Sequence, residues 1–209
     1  MNHNLEIIGN IPASNSVVSS MFPEIKGKNK KISMLVKSGD LLRLKRGLYA
    51  VSPKITGKPL SVELIANHIY PVSYVSCHSA LRYYGLIPEE VFVTQSMTTK
   101  HSRTFINEFG CFEYFHTNRK AFAVGITQIN NGEHSFLIAT PEKALCDLVA
   151  TTPMVNLRYV EETENFLSQD LRLDMDEFYK MRIDIFEQYA SVGKKANSIK
   201  TIIKLLEKQ

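Results

Sequence analysis

Cysteine is scarce in this 209-residue chain: there are three, Cys77, Cys111 and Cys146, odd in number, far apart and without a C-x-x-C spacing. That argues against a disulfide framework and against a zinc knuckle, and it makes a reducing cytoplasm the expected location. No stretch approaches the ~20 apolar residues of a membrane helix, and the N-terminus has no charged segment leading into an apolar run. Repeats and low-complexity tracts are missing too. A soluble protein with no membrane partner is expected. What is present is an ordinary globular balance, 44% hydrophobic against 22% charged residues, enough for one large domain or two small ones.

Charge is unevenly distributed. Residues 26 to 46 hold Lys26, Lys28, Lys30, Lys31, Lys37, Arg43, Lys45 and Arg46 against Asp40 alone, a net of +7 in a chain whose total is +4. Residues 194 to 209 form a second basic island of five lysines against Glu207, and residues 47 to 193 are mildly acidic. This pattern suits a module that touches a polyanion locally while the remainder serves another partner.

The first basic island coincides with a helix and a hairpin. Residues 14 to 23 read as a short helix closed by Pro23. Residues 28 to 38 read as a second, with Ile32, Leu35 and Val36 facing a core and Gly39 at its end. At 100° per residue, Lys30, Met34 and Lys37 then face outward, with Lys31 and Ser33 at the flanks. Residues 41 to 51 alternate apolar and basic residues around Gly47, which predicts a tight hairpin with Arg43 and Lys45 opposite Leu42 and Leu44, and Arg46 at the tip. Residues 52 to 59 are rich in breakers and read as a linker.

Beyond it, Val62, Ile65, Ala66 and Ile69 form a helical stripe. Ser76 opens another helix, which stops at Gly85-Leu86 in the manner of a Schellman motif. Strand-like runs follow at 91–94, 111–115, 125–129 and 136–139. Thr140-Pro141-Glu142 then carries a capping hydroxyl, a proline that needs no donor, and a carboxylate at the positive dipole end of a helix. The rest is helical: Leu157, Val160, Phe166 and Leu167 mark one segment, Asp174 caps one reaching Tyr189, and the last runs from about Lys195 to Leu206. The expected fold is α+β, an N-terminal winged helix-turn-helix over residues 1–58 followed by a larger C-terminal domain over residues 59–209, with a small mixed sheet and several helices.

Three stretches carry a family resemblance: Arg46-Gly47-Leu48-Tyr49 closing the hairpin, Ser76-Cys77-His78-Ser79-Ala80-Leu81-Arg82-Tyr83-Tyr84-Gly85-Leu86, and Thr140-Pro141-Glu142-Lys143-Ala144-Leu145-Cys146-Asp147-Leu148. In this order and spacing they resemble the AbiEi-type antitoxins of type IV toxin–antitoxin and abortive-infection systems. The resemblance spans roughly the whole chain. It implies a transcriptional autorepressor that binds its own promoter through the winged helix and counters a nucleotidyltransferase toxin encoded beside it. The chain departs from the pattern where Pro23 and Lys26-Gly27-Lys28-Asn29 interrupt the first helix pair.

The DNA-contacting residues expected on these grounds are Lys28, Lys30, Lys31, Ser33, Met34, Lys37, Arg43, Lys45 and Arg46, with duplex promoter DNA, in an inverted repeat, as the partner. The competing reading of such a lysine run is a solvated surface. Adjacent Cys77 and His78 project about 100° apart on a helix and make a poor catalytic dyad. Thr140 to Leu148 reads first as a helix start plus core, with Glu142, Lys143 and Asp147 as surface groups facing a partner the alternative; Lys143 and Asp147 are explained locally as an i, i+4 pair. No catalytic residue, cofactor or metal ligand is expected. The alternatives are a nucleic-acid-processing enzyme with its groups in the C-terminal domain, and a regulator responding to a small ligand there.

Overall fold

The computed structural model describes residues 3–88 and 92–208 as a mixed α+β protein with 12 helices and two sheets. The N-terminal elements are α1 (His3–Glu6), β1 (Ala13–Ser14), α2 (Asn15–Ser20), α3 (Lys28–Lys37), β2 (Leu41–Lys45) and β3 (Leu48–Val51). The strands form an antiparallel sheet in the order β1-β3-β2. Ser14 caps α2 by accepting from the Val17 N–H. Leu5, Val18, Phe22, Ile32, Leu35, Leu41 and Val51 bury a small core between these helices and one side of the hairpin. The four-residue α1 is too short to be legible from periodicity, and its place is fixed by fully buried Leu5.

The expected linker is itself built. Ser52 caps α4 (Pro53–Thr56), Gly57 ends it in the left-handed region at φ +67°, and Ile55 packs on the small core. Then come α5 (Val62–Ile69), β4 (Ser73–Val75), α6 (Cys77–Tyr83), β5 (Val93–Thr98), β6 (Arg103–Asn107), β7 (Gly110–His116), α7 (Arg119–Phe122), β8 (Ile126–Asn130) and β9 (Ser135–Ala139). The chain ends with α8 (Pro141–Thr151), α9 (Val160–Asn165) running into a π-helical turn at Phe166–Asp170, α10 (Met175–Phe178), α11 (Ile183–Val192) and α12 (Ala196–Leu206). The helix expected from Asp174 to Tyr189 is thus two helices, α10 and α11. Of the strand expected at 91–94, Val91 lies outside the described residues.

The large sheet has the order β6-β7-β5-β4-β9-β8, with β5/β7 and β4/β9 parallel and the other neighbours antiparallel. It is mixed, as the sequence predicts, although β4 and β6 go unread there. Registers pair Tyr114 with Ser96 and Tyr74 with Met97, so the two tyrosines point to opposite faces. On one side the Tyr114 hydroxyl donates to the Ala66 carbonyl of α5 at 2.6 Å; on the other Tyr74 reaches Asp147 of α8. α6 ends as expected, with Leu86 N–H to Leu81 carbonyl, Gly85 N–H to Arg82 carbonyl, and Gly85 at φ +71°. No helix among the described residues is long and apolar enough to cross a membrane.

The hairpin is the seam of the molecule. Leu41 and Val51 serve the small core, while Leu44, Leu48 and Ala50 belong to the large one shared by the big sheet and its helices. Both faces of the β2–β3 ribbon are therefore covered, which fixes its register.

Candidate nucleic-acid interface

α3 stops in a Schellman motif: Asp40 N–H donates to the Leu35 carbonyl at 3.0 Å, Gly39 N–H to the Val36 carbonyl at 3.1 Å, and Gly39 takes φ +75°. Ile32 and Leu35 are buried beneath the helix. Lys30, Ser33, Met34 and Lys37 are exposed, Met34 by 56%. Lys28 and Lys31 are half-buried at the flanks, and the Lys31 ammonium sits 5.4 Å from the Phe22 ring centroid. Among the described residues, Lys28, Lys30, Lys37, Arg43 and Arg46 make no hydrogen bond or ion pair through their charged groups. Their charge is not consumed internally.

In the hairpin, Arg43 is exposed, and Arg46 is exposed at the turn beside Gly47, which takes φ +78°. The Gly47 carbonyl accepts from the Asn15 N–H at 2.9 Å, tying the turn to the start of α2.

Lys45 departs from the expectation. The strand register shifts between Arg43 and Lys45, and such a bulge breaks the two-residue alternation. The Lys45 ammonium donates to the Ile69 carbonyl at 2.5 Å and lies 6.0 Å from the Phe105 ring centroid. Burial lowers its pKa first, and the nearby Lys100 and Arg103 lower it further. Asn107 reinforces the same contact by donating to the Leu44 carbonyl at 2.9 Å. Four of the nine expected contact residues thus share one helix face and two stand on the hairpin. Two flank the helix, and Lys45 faces the C-terminal part of the chain.

The third motif is a helix start plus core, which sets aside its surface alternative. Glu142, Lys143 and Asp147 are buried, the last two completely, rather than surface groups. The Lys143 ammonium donates to Asp147 Oδ1 at 2.9 Å and to the Ala121 carbonyl at 2.8 Å, and lies 4.2 Å from the Tyr189 ring centroid. Asp147 Oδ2 accepts from the Tyr74 hydroxyl at 2.9 Å and the Ser76 hydroxyl at 2.8 Å. Burial holds the Asp147 carboxyl above the usual range, opposed by Lys143 and by these hydrogen bonds. Glu142 Oε1 accepts from the Arg182 N–H at 3.0 Å, joining α8 to the start of α11. The sequence signal for this network is the i, i+4 spacing alone, because Tyr74 and Ser76 lie some seventy residues away.

Chemically, the network is a saturated cross-link between β4, α7, α8 and α11. The adjacent thiol is poorly suited to attack, since burial pushes Cys77 up to about 12, with the Asp147 charge adding to the effect. His78 is occupied: its backbone N–H and Nδ1 both meet Gln95 Oε1, at 3.2 and 3.1 Å. Among the described residues there is no group of three or more His, Cys, Asp and Glu side chains placed to hold a metal ion.

The basic C-terminal island divides in a similar way. Lys195 donates to the carbonyls of Thr152 at 2.5 Å and Val155 at 2.6 Å, so it clamps the loop after α8, and burial lowers its pKa. Lys194, Lys200 and Lys208 are exposed. No family model matches this chain, and no curated protein matches it.

Proposed function

We propose that this chain is a DNA-binding transcriptional autorepressor and antitoxin, with residues 1–58 acting as a winged helix-turn-helix and residues 59–209 countering a nucleotidyltransferase toxin encoded beside it. In this reading α2 and α3 are the helix pair, α3 is the recognition helix, and the β2–β3 hairpin is the wing. The observation that carries the DNA half is the exposed row of Lys30, Ser33, Met34 and Lys37 on α3, opposite buried Ile32 and Leu35, with Arg43 and Arg46 exposed on the hairpin that follows. Unpaired cations on a rigid helix and turn provide phosphate contacts through counterion release, and Ser33 and Met34 are positioned between them for base edges. One such module makes few contacts, so two copies on an inverted repeat are expected.

The antitoxin half rests on the resemblance of the three motifs. Its partner and the promoter are tested together in the full-length protein. Nuclease footprinting of the DNA upstream of its own gene is expected to give two protected, inverted half-sites. Co-expression with the neighbouring nucleotidyltransferase is expected to restore growth. An unprotected promoter would remove the repressor reading, and unrelieved toxicity with folded protein present would remove the antitoxin reading.

A further inference from the structure

A cavity of about 210 Å³ opens at the carboxyl ends of the parallel strands β5 and β7, remote in sequence from the α3 face. Crevices at the carboxyl ends of parallel strands are the usual ligand positions of α/β sheets, because no strand continues there to fill them. Met97 and Phe115, paired in register, form its apolar wall, and the Tyr189 ring closes the side nearest Lys143. The polar lining contains no carboxylate: Ser102, His116, Thr117 and Lys194 meet there from three separate segments. Ser102 Oγ accepts from the His116 N–H at 2.9 Å, which leaves its own proton to donate. His116 Nδ1 donates to the Lys100 carbonyl at 3.0 Å, so in the neutral ring Nε2 presents a lone pair and not a proton. Lys194 makes no hydrogen bond or ion pair among the described residues.

A second lysine stands close to the lining. Lys195 is anchored to the Thr152 carbonyl, one residue beyond the lining Thr151, while Lys143, behind the Tyr189 ring, is neutralised by Asp147. Several donors, a free ammonium and an apolar wall in a space below the roughly 300–1,000 Å³ of larger ligand sites suit a compact anion attached to a small carbon skeleton.

The geometry points to a binding site for a small phosphate monoester in this cavity, with the phosphate among Ser102, Thr117 and Lys194 and the carbon part against Met97 and Phe115. The site is independent of the DNA reading, and either can fail alone.

The test is thermal unfolding and titration calorimetry of the full-length protein with ribose 5-phosphate, inorganic phosphate and a short single-stranded RNA, each against sodium chloride of equal ionic strength. Saturable binding of ribose 5-phosphate, with inorganic phosphate weaker, is the expected result. Lys194→Glu is expected to reduce the affinity at least tenfold; because Lys194 is exposed and unpartnered, this variant should fold normally. Thr117→Val provides a second variant, with a smaller loss in the same direction. No response beyond the chloride control would overturn the proposal, as would binding unaltered by Lys194→Glu. Binding of the RNA without binding of ribose 5-phosphate would also overturn it, in favour of a nucleic-acid strand.

Discussion

Replacing Lys143 by Met tests whether the buried pair supports the C-terminal part of the molecule. The side chains are close in volume, so the cavity contribution is small, and what is lost is the charge. Lys143 is fully buried and donates to Asp147 and to the Ala121 carbonyl. Its removal leaves Asp147 with two hydroxyl donors, Tyr74 and Ser76, and no counter-charge. Breaking a buried pair from one side costs about 3–5 kcal/mol, a large share of the ~5–15 kcal/mol that holds a domain together. Urea unfolding followed by circular dichroism reads this as a lower midpoint at unchanged slope.

The pH dependence supplies the sign. The Asp147 pKa is already raised by burial, and Lys143 opposes the rise most, ahead of the Ser76 and Tyr74 hydrogen bonds. In Lys143→Met the native carboxyl therefore takes up a proton at a pH where the unfolded one stays ionised. Native protein then binds more protons than unfolded protein, so the variant gains stability as pH falls from neutrality towards the unfolded carboxyl's ordinary value of about 3.9. Adding Asp147→Asn should remove that pH dependence. A loss below about 1 kcal/mol, or one that does not change over this range, would refute the account of the pair as a desolvated cross-link.

Other substitutions separate contact from support. Arg43→Ala should flatten the salt dependence of DNA binding by about 0.9 in log–log slope, measured by fluorescence anisotropy. Lys45→Ala should leave that slope unchanged and instead lower the unfolding free energy measured with urea, by about 1.5–3 kcal/mol for a charged hydrogen bond before discounting for its partial exposure. Gly125→Ala should destabilise by about 2–4 kcal/mol in the same assay, from a strained left-handed residue plus overpacking. At φ +60°, its new Cβ would stand 2.7 Å from the Lys143 Cβ. Deleting residues 194 to 209 should unfold the C-terminal part by circular dichroism, because α12 buries Ile199, Ile202, Leu205 and Leu206. Glutamate at exposed Lys200 and Lys208 therefore tests that island more cleanly than truncation.

Elements with chemically marked ends were the legible ones. Ser14, Thr140 and Asp174 cap helices as their side chains predict, and Gly39 and Gly85 end helices in the left-handed region. β4 and β6 escaped because Ser-Tyr-Val is too short to show alternation and Arg103–Asn107 is polar with mostly exposed side chains. The outward face of α3 followed from its period alone. Lys45 did not follow from alternation, because a bulge is a backbone event set by packing against α5 and β6 rather than by local pattern. Lys143 and Asp147 were legible only as a local i, i+4 pair, since their partners Tyr74, Ser76 and Ala121 become neighbours only through the fold. The cavity at the ends of β5 and β7 was invisible for the same reason, as its polar residues come from segments near 102, 116 and 194.

The central claim is that the exposed cations of α3 and the hairpin turn meet duplex phosphates. Its most direct test is the affinity of the full-length protein for its own promoter DNA across a salt series. Neutralisation of about five phosphates gives a slope of log K against log salt near −4.5. A slope near zero would contradict it.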